Sequence, residues 1–187
     1  MGCSPNGVDR INSFALVSYL PGALGQFLDQ LRKELVTSCI ARSHVTLLPP
    51  RTQLGSADSA QVEVEGLIQE FTPFEIELGK IGMFPVTQVI YLELTKGRHE
   101  LEAMHKAFNT GGLYFDEPYE YHPHVTLAQE VKPEDLDRTY ALARERWTNY
   151  AYRRSFPMDH VTFVQNTSLN RWVDLMHYPL PQPVGRR

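Results

Sequence analysis

The tetrapeptide His-Val-Thr-Leu stands at His44–Leu47 and again at His124–Leu127, eighty residues apart in a chain of 187. In an extended strand side chains alternate between faces, so His and Thr point one way while Val and Leu point the other. Each copy therefore needs an apolar layer behind it and presents one imidazole and one hydroxyl in front. Two such strands facing each other place two histidines and two hydroxyls around one small anion, which is equipment for acid–base chemistry at phosphorus. A third copy of the tripeptide, His160-Val161-Thr162, lies in the apolar run Met158 to Val164.

The first two copies differ from the third in their place within an internal repeat. The first half opens with an apolar strand, Ser13–Leu20, and a helix with Pro21 near its start and Leu24, Phe27, Leu28, Leu31 and Leu35 at helical spacing. The strand His44–Leu48 follows, stopped by Pro49-Pro50. A helix over about Asp58–Glu70, with Ser56 or Asp58 as its cap, leads to the strand Phe74–Phe84, where Gly79 and Gly82 suggest a bulge. The second half repeats this order: strand Thr87–Leu94, helix Arg98–Phe108, the strand around His124–Ala128, and a helix from Pro133 to about Tyr150. A hairpin, Ser155–Gln165 and Asn170–Tyr178, ends it. Phe14 to His44 is thirty residues and Val89 to His124 thirty-five, so the two histidines occupy the same slot, and His160 falls in the following strand as a structural residue.

Composition sets the bounds. Hydrophobic residues at 42% and charged residues at 21% are ordinary for a globular domain. A chain of this length buries enough surface to need no disulfide or metal staple. Its two cysteines, Cys3 and Cys39, point to a reducing compartment, and cytoplasmic location is expected. No stretch reaches the roughly 18 apolar residues of a membrane span. Met1-Gly2-Cys3 suggests acylation, but Asn6 stands where the myristoylation pattern wants Ser or Thr. A net charge of −4 argues against a broad footprint on duplex DNA, and leaves room for a local pocket for one phosphate or a short oligonucleotide.

The chemistry follows from the side chains. With an ordinary imidazole pKa near 6.5, one histidine can be neutral while another is protonated at neutral pH. A neutral His44 or His124 can take a proton from water, the other can give one to a leaving oxygen, and the Thr46 and Thr126 hydroxyls can donate to the non-bridging oxygens. Such a site needs neither metal nor cofactor. His122 and His124 have a metal-ligand spacing, yet Glu120 is the one carboxylate close to them in sequence, and His122 reads better as an edge residue of the site. Arg42, two residues before His44, shares its face and has His122 as its counterpart in the second copy. Tyr121, with Tyr114, Phe115 and Tyr119, can stack a base, or most of these rings pack in the core or its rim. Lys80, Arg153, Arg154 and Arg171 are further cationic candidates, and His99, His105 and His177 read as surface or packing residues.

The paired H-V-T-L units, Pro123 before the second, and the repeated order of strand, helix, motif strand, helix and strand resemble the two-histidine (2H) phosphoesterase superfamily, which includes the 2′-5′ RNA ligase-like proteins and cyclic phosphodiesterases. The likeness runs from about Phe14 to Leu180. It implies an α+β fold of two lobes related by a pseudo-twofold axis, each an antiparallel sheet with helices on its outer face, enclosing a central cleft. The chain is then one bilobal domain, with repeats over roughly 13–84 and 87–178 and flexible ends at 1–10 and 181–187. The resemblance carries His44, Thr46, His124 and Thr126 as catalytic residues, and Phe84 joins Arg42, Tyr121 and His122 as substrate-binding candidates at a crossover like the family's. Gln129 stands where the ligase-like branch tends to have Arg. The function expected is metal-independent hydrolysis of a small nucleotide or RNA-end phosphodiester, a 2′,3′-cyclic phosphate or a 2′-5′ linkage, by a monomer. The alternatives are a binding module without turnover and a reversible 2′-5′ RNA ligase.

Overall fold

The computed structural model describes residues 9–39, 42–52 and 55–182. The expected flexible ends lie largely outside these residues, as do Met1-Gly2-Cys3; Arg10 already belongs to the first strand. In chain order the elements are β1 (Arg10–Tyr19), α1 (Gly22–Leu35), β2 (His44–Arg51), α2 (Ala57–Ile68), β3 (Phe74–Met83), β4 (Ile90–Lys96), α3 (Arg98–Phe108), β5 (His124–Ala128), α4 (Leu136–Thr148), β6 (Ser155–Met158), β7 (His160–Thr167) and β8 (Trp172–Pro179). Short 3-10 turns precede β5 (Gly111–Leu113) and α4 (Pro133–Asp135). The fold is α+β, as expected.

The eight strands form one curled antiparallel sheet in the order β6-β3-β4-β5-β2-β1-β7-β8. Its midline runs between β2 and β5, so the two H-V-T-L strands are neighbours. On either side of that line the pattern is symmetric: β1 beside β2 answers β4 beside β5, and β7 answers β3. A later strand of each half crosses the midline to pair with the first strand of the other: β3, the third of its half, with β4, and β7, the fourth of its half, with β1. The repeat is present in chain order, but neither half of the sheet is built from one half of the sequence.

Apolar residues alternate along the strands because one face is covered by helices. Val45, Leu47, Val125, Leu127, Ile90 and Leu92 are buried in a single core with Leu28, Leu31, Leu101 and Met104 of α1 and α3. Each such side chain contributes roughly 1.5–3 kcal/mol by leaving water. Helix α1 packs against β5 and α3 against β2, so the helices bridge the midline as the strands do. Ser56 caps α2 by accepting from the Ser59 amide at 3.1 Å, one of the two capping residues expected.

Two details differ from the sequence reading. The stretch 155–165 is two strands, because β6 pairs with β3 while β7 turns to pair with β1 and β8; the hairpin is β7–β8 alone. The irregularities in β3 fall between Glu77 and Leu78 and between Leu78 and Ile81, on the Gly79 side of the strand. Gly82 is in regular register opposite Tyr91. A Cβ there would sit 2.7 Å from the Tyr91 ring, so this glycine makes room for an aromatic side chain rather than for a bulge.

Candidate active site

Strands β2 and β5 meet at one pair, Val45 opposite Val125. Antiparallel register then puts His44 opposite Thr126 and Thr46 opposite His124, all on the face away from the helices. Each imidazole has the hydroxyl of the other copy as its cross-strand neighbour. The four residues expected to act together are brought together.

Both imidazoles are fixed in the same way. His44 Nδ1 lies 2.7 Å from the Arg42 carbonyl oxygen, and His124 Nδ1 lies 2.6 Å from that of His122. A carbonyl only accepts, so Nδ1 carries the proton and Nε2 of each neutral ring keeps its lone pair. Burial is the main influence on both. It lowers the His44 pKa from 6.5 to about 4, with Arg32 and His124 adding repulsion against the carbonyl contact and Asp29, which oppose them. Burial also lowers His124, with His122 adding to it. Burial therefore favours two neutral imidazoles.

The surroundings of the two histidines differ. On the β5 side Phe84 stacks on Tyr91 at 4.2 Å, and both rings stand edge-on to His124 and His122 with centroids 5.1–5.5 Å apart. Phe84 and His122 thus form an aromatic wall beside the second motif. On the β2 side Tyr19, opposite His44 in register, stands edge-on to that imidazole at 6.3 Å. The Arg42 guanidinium lies 3.7 Å over the Tyr19 ring and pairs with Asp174 at 3.7 Å, and the Tyr19 hydroxyl also donates to Asp174. Arg42 remains 59% exposed in its side chain, at the edge of the motif face. Thr162 of the third His-Val-Thr copy is fully buried against His177, 2.8 Å from its Nδ1, and His160 is held by Asp159; neither belongs to the central four.

Tyr121 is placed differently from its aromatic fellows. Its ring stacks on His105 at 3.8 Å with planes 2° apart, and its hydroxyl donates to the Thr46 carbonyl at 2.7 Å. Behind it His105 Nδ1 donates to the Leu47 carbonyl at 2.8 Å, and His105 Nε2 lies 3.5 Å from Glu117. Glu117 pairs with Arg51, which is 3% exposed and also donates to Asn109, Leu113 and Pro49. On the opposite side Arg32 of α1 donates to the Thr126 carbonyl. Among the described residues no three His, Cys, Asp or Glu side chains converge as a metal-ligating group.

Tyr19, Arg32, Tyr91 and the Glu117 network escaped the sequence reading. Alternation carries the signal for two of them. Tyr91 alternates with the buried Ile90 and Leu92, and Tyr19 continues the face of Ala15 and Val17, so both lie on the motif face. Arg32 stands at a buried position of α1 beside Leu28 and Leu31, where a charge needs a specific partner.

The arrangement has a family. The model of the 2'-5' RNA ligase superfamily matches residues 20–169. The chain belongs to this superfamily, that of the two-histidine phosphoesterases. A Bacillus cytotoxicus protein of the same sequence group, whose name marks it provisionally as a phosphoesterase, is 27% identical over 137 residues, covering 68% of this chain and 78% of that protein. A Bacillus mycoides protein named in the same way is 27% identical over 122 residues, 64% of this chain and 69% of its own. Among solved structures, LigT of E. coli in complex with phosphate superposes with a TM-score of 0.62 at 15% identity, covering 94% of this chain and 99% of LigT. TT0787 of Thermus thermophilus gives 0.55 at 12% identity, with coverage of 91% and 98%. The superfamily fold is thus shared well beyond recognisable sequence identity. No described helix is long and apolar enough to cross a membrane.

Proposed function

We propose that the protein is a phosphodiesterase that hydrolyses a small nucleotide or RNA-end phosphodiester, a 2′,3′-cyclic phosphate or a 2′-5′ linkage, by metal-independent acid–base catalysis. The observation that carries the reading is the crossed pairing of His44 with Thr126 and Thr46 with His124 on one open face. It gives one phosphoryl group two imidazole Nε2 atoms and two hydroxyl donors. Superfamily membership and the names of the Bacillus relatives support phosphoester chemistry. LigT has been crystallised with 3′-AMP and with phosphate, which supports a small nucleotide as ligand.

In this mechanism one neutral imidazole takes a proton from water as the water oxygen attacks phosphorus. The other, as imidazolium, gives its Nε2 proton to the departing ribose oxygen. The Thr46 and Thr126 hydroxyls donate to the non-bridging oxygens as charge builds there. Burial favours the neutral form of both rings, and the negative charge of a bound phosphodiester favours an adjacent imidazolium, so the acid takes up its proton as the substrate binds. Phe84 and His122 offer stacking for a base with Tyr91 packed behind Phe84, Arg42 offers an exposed charge, and Tyr121 acts from behind on the Thr46 backbone.

The test is hydrolysis of 2′,3′-cyclic mononucleotides and 2′-5′-linked dinucleotides in EDTA by wild type, His44→Ala and His124→Ala. Turnover that survives EDTA and falls by roughly 100-fold or more in each variant is the expected result. Turnover that needs added metal, or that survives either alanine, would overturn the reading.

A further inference from the structure

Backbone pairing alone does little to fix the distance between the two motifs. Five register pairs join β1 to β2 and four join β4 to β5, but β2 and β5 share only the Val45–Val125 pair. The two halves of the site meet at the least-paired seam of the sheet. Acid–base chemistry shared between two side chains nonetheless demands placement to a fraction of an ångström.

Side chains cross the seam where the ladder does not. Arg32, from α1 of the first half, donates to the carbonyl of Thr126. Tyr121, from the segment before β5 in the second half, donates to the carbonyl of Thr46 at 2.7 Å. The acceptors are equivalent atoms of the two motifs, and each donor comes from the half that does not own its acceptor. Both donors are fixed in turn. Arg32 is 5% exposed within the core side of α1. Tyr121 lies flat on His105, which holds the Leu47 carbonyl and faces the Glu117–Arg51 pair at the far end of β2. The Arg32 Nε is buried and has no hydrogen-bond partner among the described residues, an expensive arrangement for a group that served packing alone.

We propose that Arg32 and Tyr121 are crossed latches, positioning residues that hold each His-x-Thr strand against the other and so set the working separation of His44 and His124. The proposal rests on the phosphodiesterase reading for its kinetic consequences and on geometry for its structural ones. Arg32 has a second effect, since its fixed positive charge opposes a proton on His44. The other ionisable groups around His44 are Asp29 on α1, His124 on β5, Tyr19 on β1 and Arg42 on its own segment.

The experiment uses Tyr121→Phe, Arg32→Met and Arg32→Lys, read by steady-state kinetics over pH and by NMR titration of the histidine imidazoles. Tyr121→Phe keeps the ring stack and removes one hydrogen bond. It should lower kcat by about tenfold or more with KM within about twofold, the pattern of an interaction that counts in the transition state. Arg32→Met should also lower kcat and, in addition, move the His44 titration to higher pH while leaving His124 nearly still. Arg32→Lys keeps the charge and loses the planar fork, so it should lower kcat without that movement; it also serves if Arg32→Met fails to fold. Unchanged kcat in Tyr121→Phe and in Arg32→Lys would overturn the proposal, and an unmoved His44 titration in Arg32→Met would overturn the electrostatic role of Arg32. If the wild type turns over none of the substrates, the phosphodiesterase reading fails and the latches are judged by NMR alone: Tyr121→Phe and Arg32→Lys should move the backbone amide and imidazole resonances of both motifs, and resonances that stay in place in the opposite motif would overturn the proposal.

Discussion

Acid should weaken this fold in a way that traces to one imidazole. His44 titrates at about 4 in the folded protein because burial penalises its charged form, and at about 6.5 when unfolded. Between those values the unfolded chain holds a proton on this residue that the folded chain does not, so stability falls as pH drops from 6.5 towards 4 and His44 adds no further loss below that. Above pH 6.5 neither state is protonated and the contribution is flat. At about 1.4 kcal/mol per pH unit of separation, the full effect is of order 3 kcal/mol. The perturbation is His44→Gln, which keeps a polar side chain and cannot titrate. Urea unfolding at half-unit intervals from pH 4 to 7.5 gives the difference between wild type and variant, in which the shared contributions of His122 and His124 cancel. The wild-type curve should fall below the variant's by about 3 kcal/mol over that window, whatever their offset at pH 7.5. Parallel curves would refute the claim that His44 is held neutral by its surroundings.

Other perturbations test other parts of the site. Arg51→Met removes a buried guanidinium that pairs with the partly buried Glu117 and holds Asn109, Leu113 and Pro49, and should cost about 3 kcal/mol in urea or thermal unfolding. Phe84→Ala removes the ring stacked on Tyr91 and standing against His122 and His124; with base stacking worth roughly 1–3 kcal/mol, KM for a nucleotide should rise about tenfold, more than kcat falls, in steady-state assays. Thr46→Val and Thr126→Val each delete one hydroxyl donor with little change in shape, and each should lower kcat/KM by about 100-fold with the unfolding transition nearly unmoved.

How much was legible in advance follows from which interactions are local. The motif strands read clearly because Val45, Leu47, Val125 and Leu127 alternate with the polar residues they carry. Ser56 was readable as a cap because a helix N-terminus needs an acceptor within three residues. Strand order was not readable: nothing near β3 or β7 states that each pairs with the other half's first strand, since that choice is made by packing across the whole sheet. The split of 155–165 into β6 and β7 belongs to the same choice. At the site, His44, Thr46, His124 and Thr126 were visible because they repeat. Arg32, Tyr19 and Tyr91 do not repeat, and their roles depend on partners 94 (Arg32), 25 (Tyr19) and 33 (Tyr91) residues along the chain. Tyr121 was visible as an aromatic near the motif; its hydrogen bond to Thr46, 75 residues away, was not.

The central claim is that two imidazoles divide acid and base work at one phosphorus. The most direct measurement is the pH dependence of kcat/KM for wild type, His44→Ala and His124→Ala on a 2′,3′-cyclic nucleotide. The account predicts a bell with two limbs in the wild type and the loss of one limb in each variant, with the surviving limb still present. A wild-type profile without two limbs, or both limbs persisting in either variant, would contradict it.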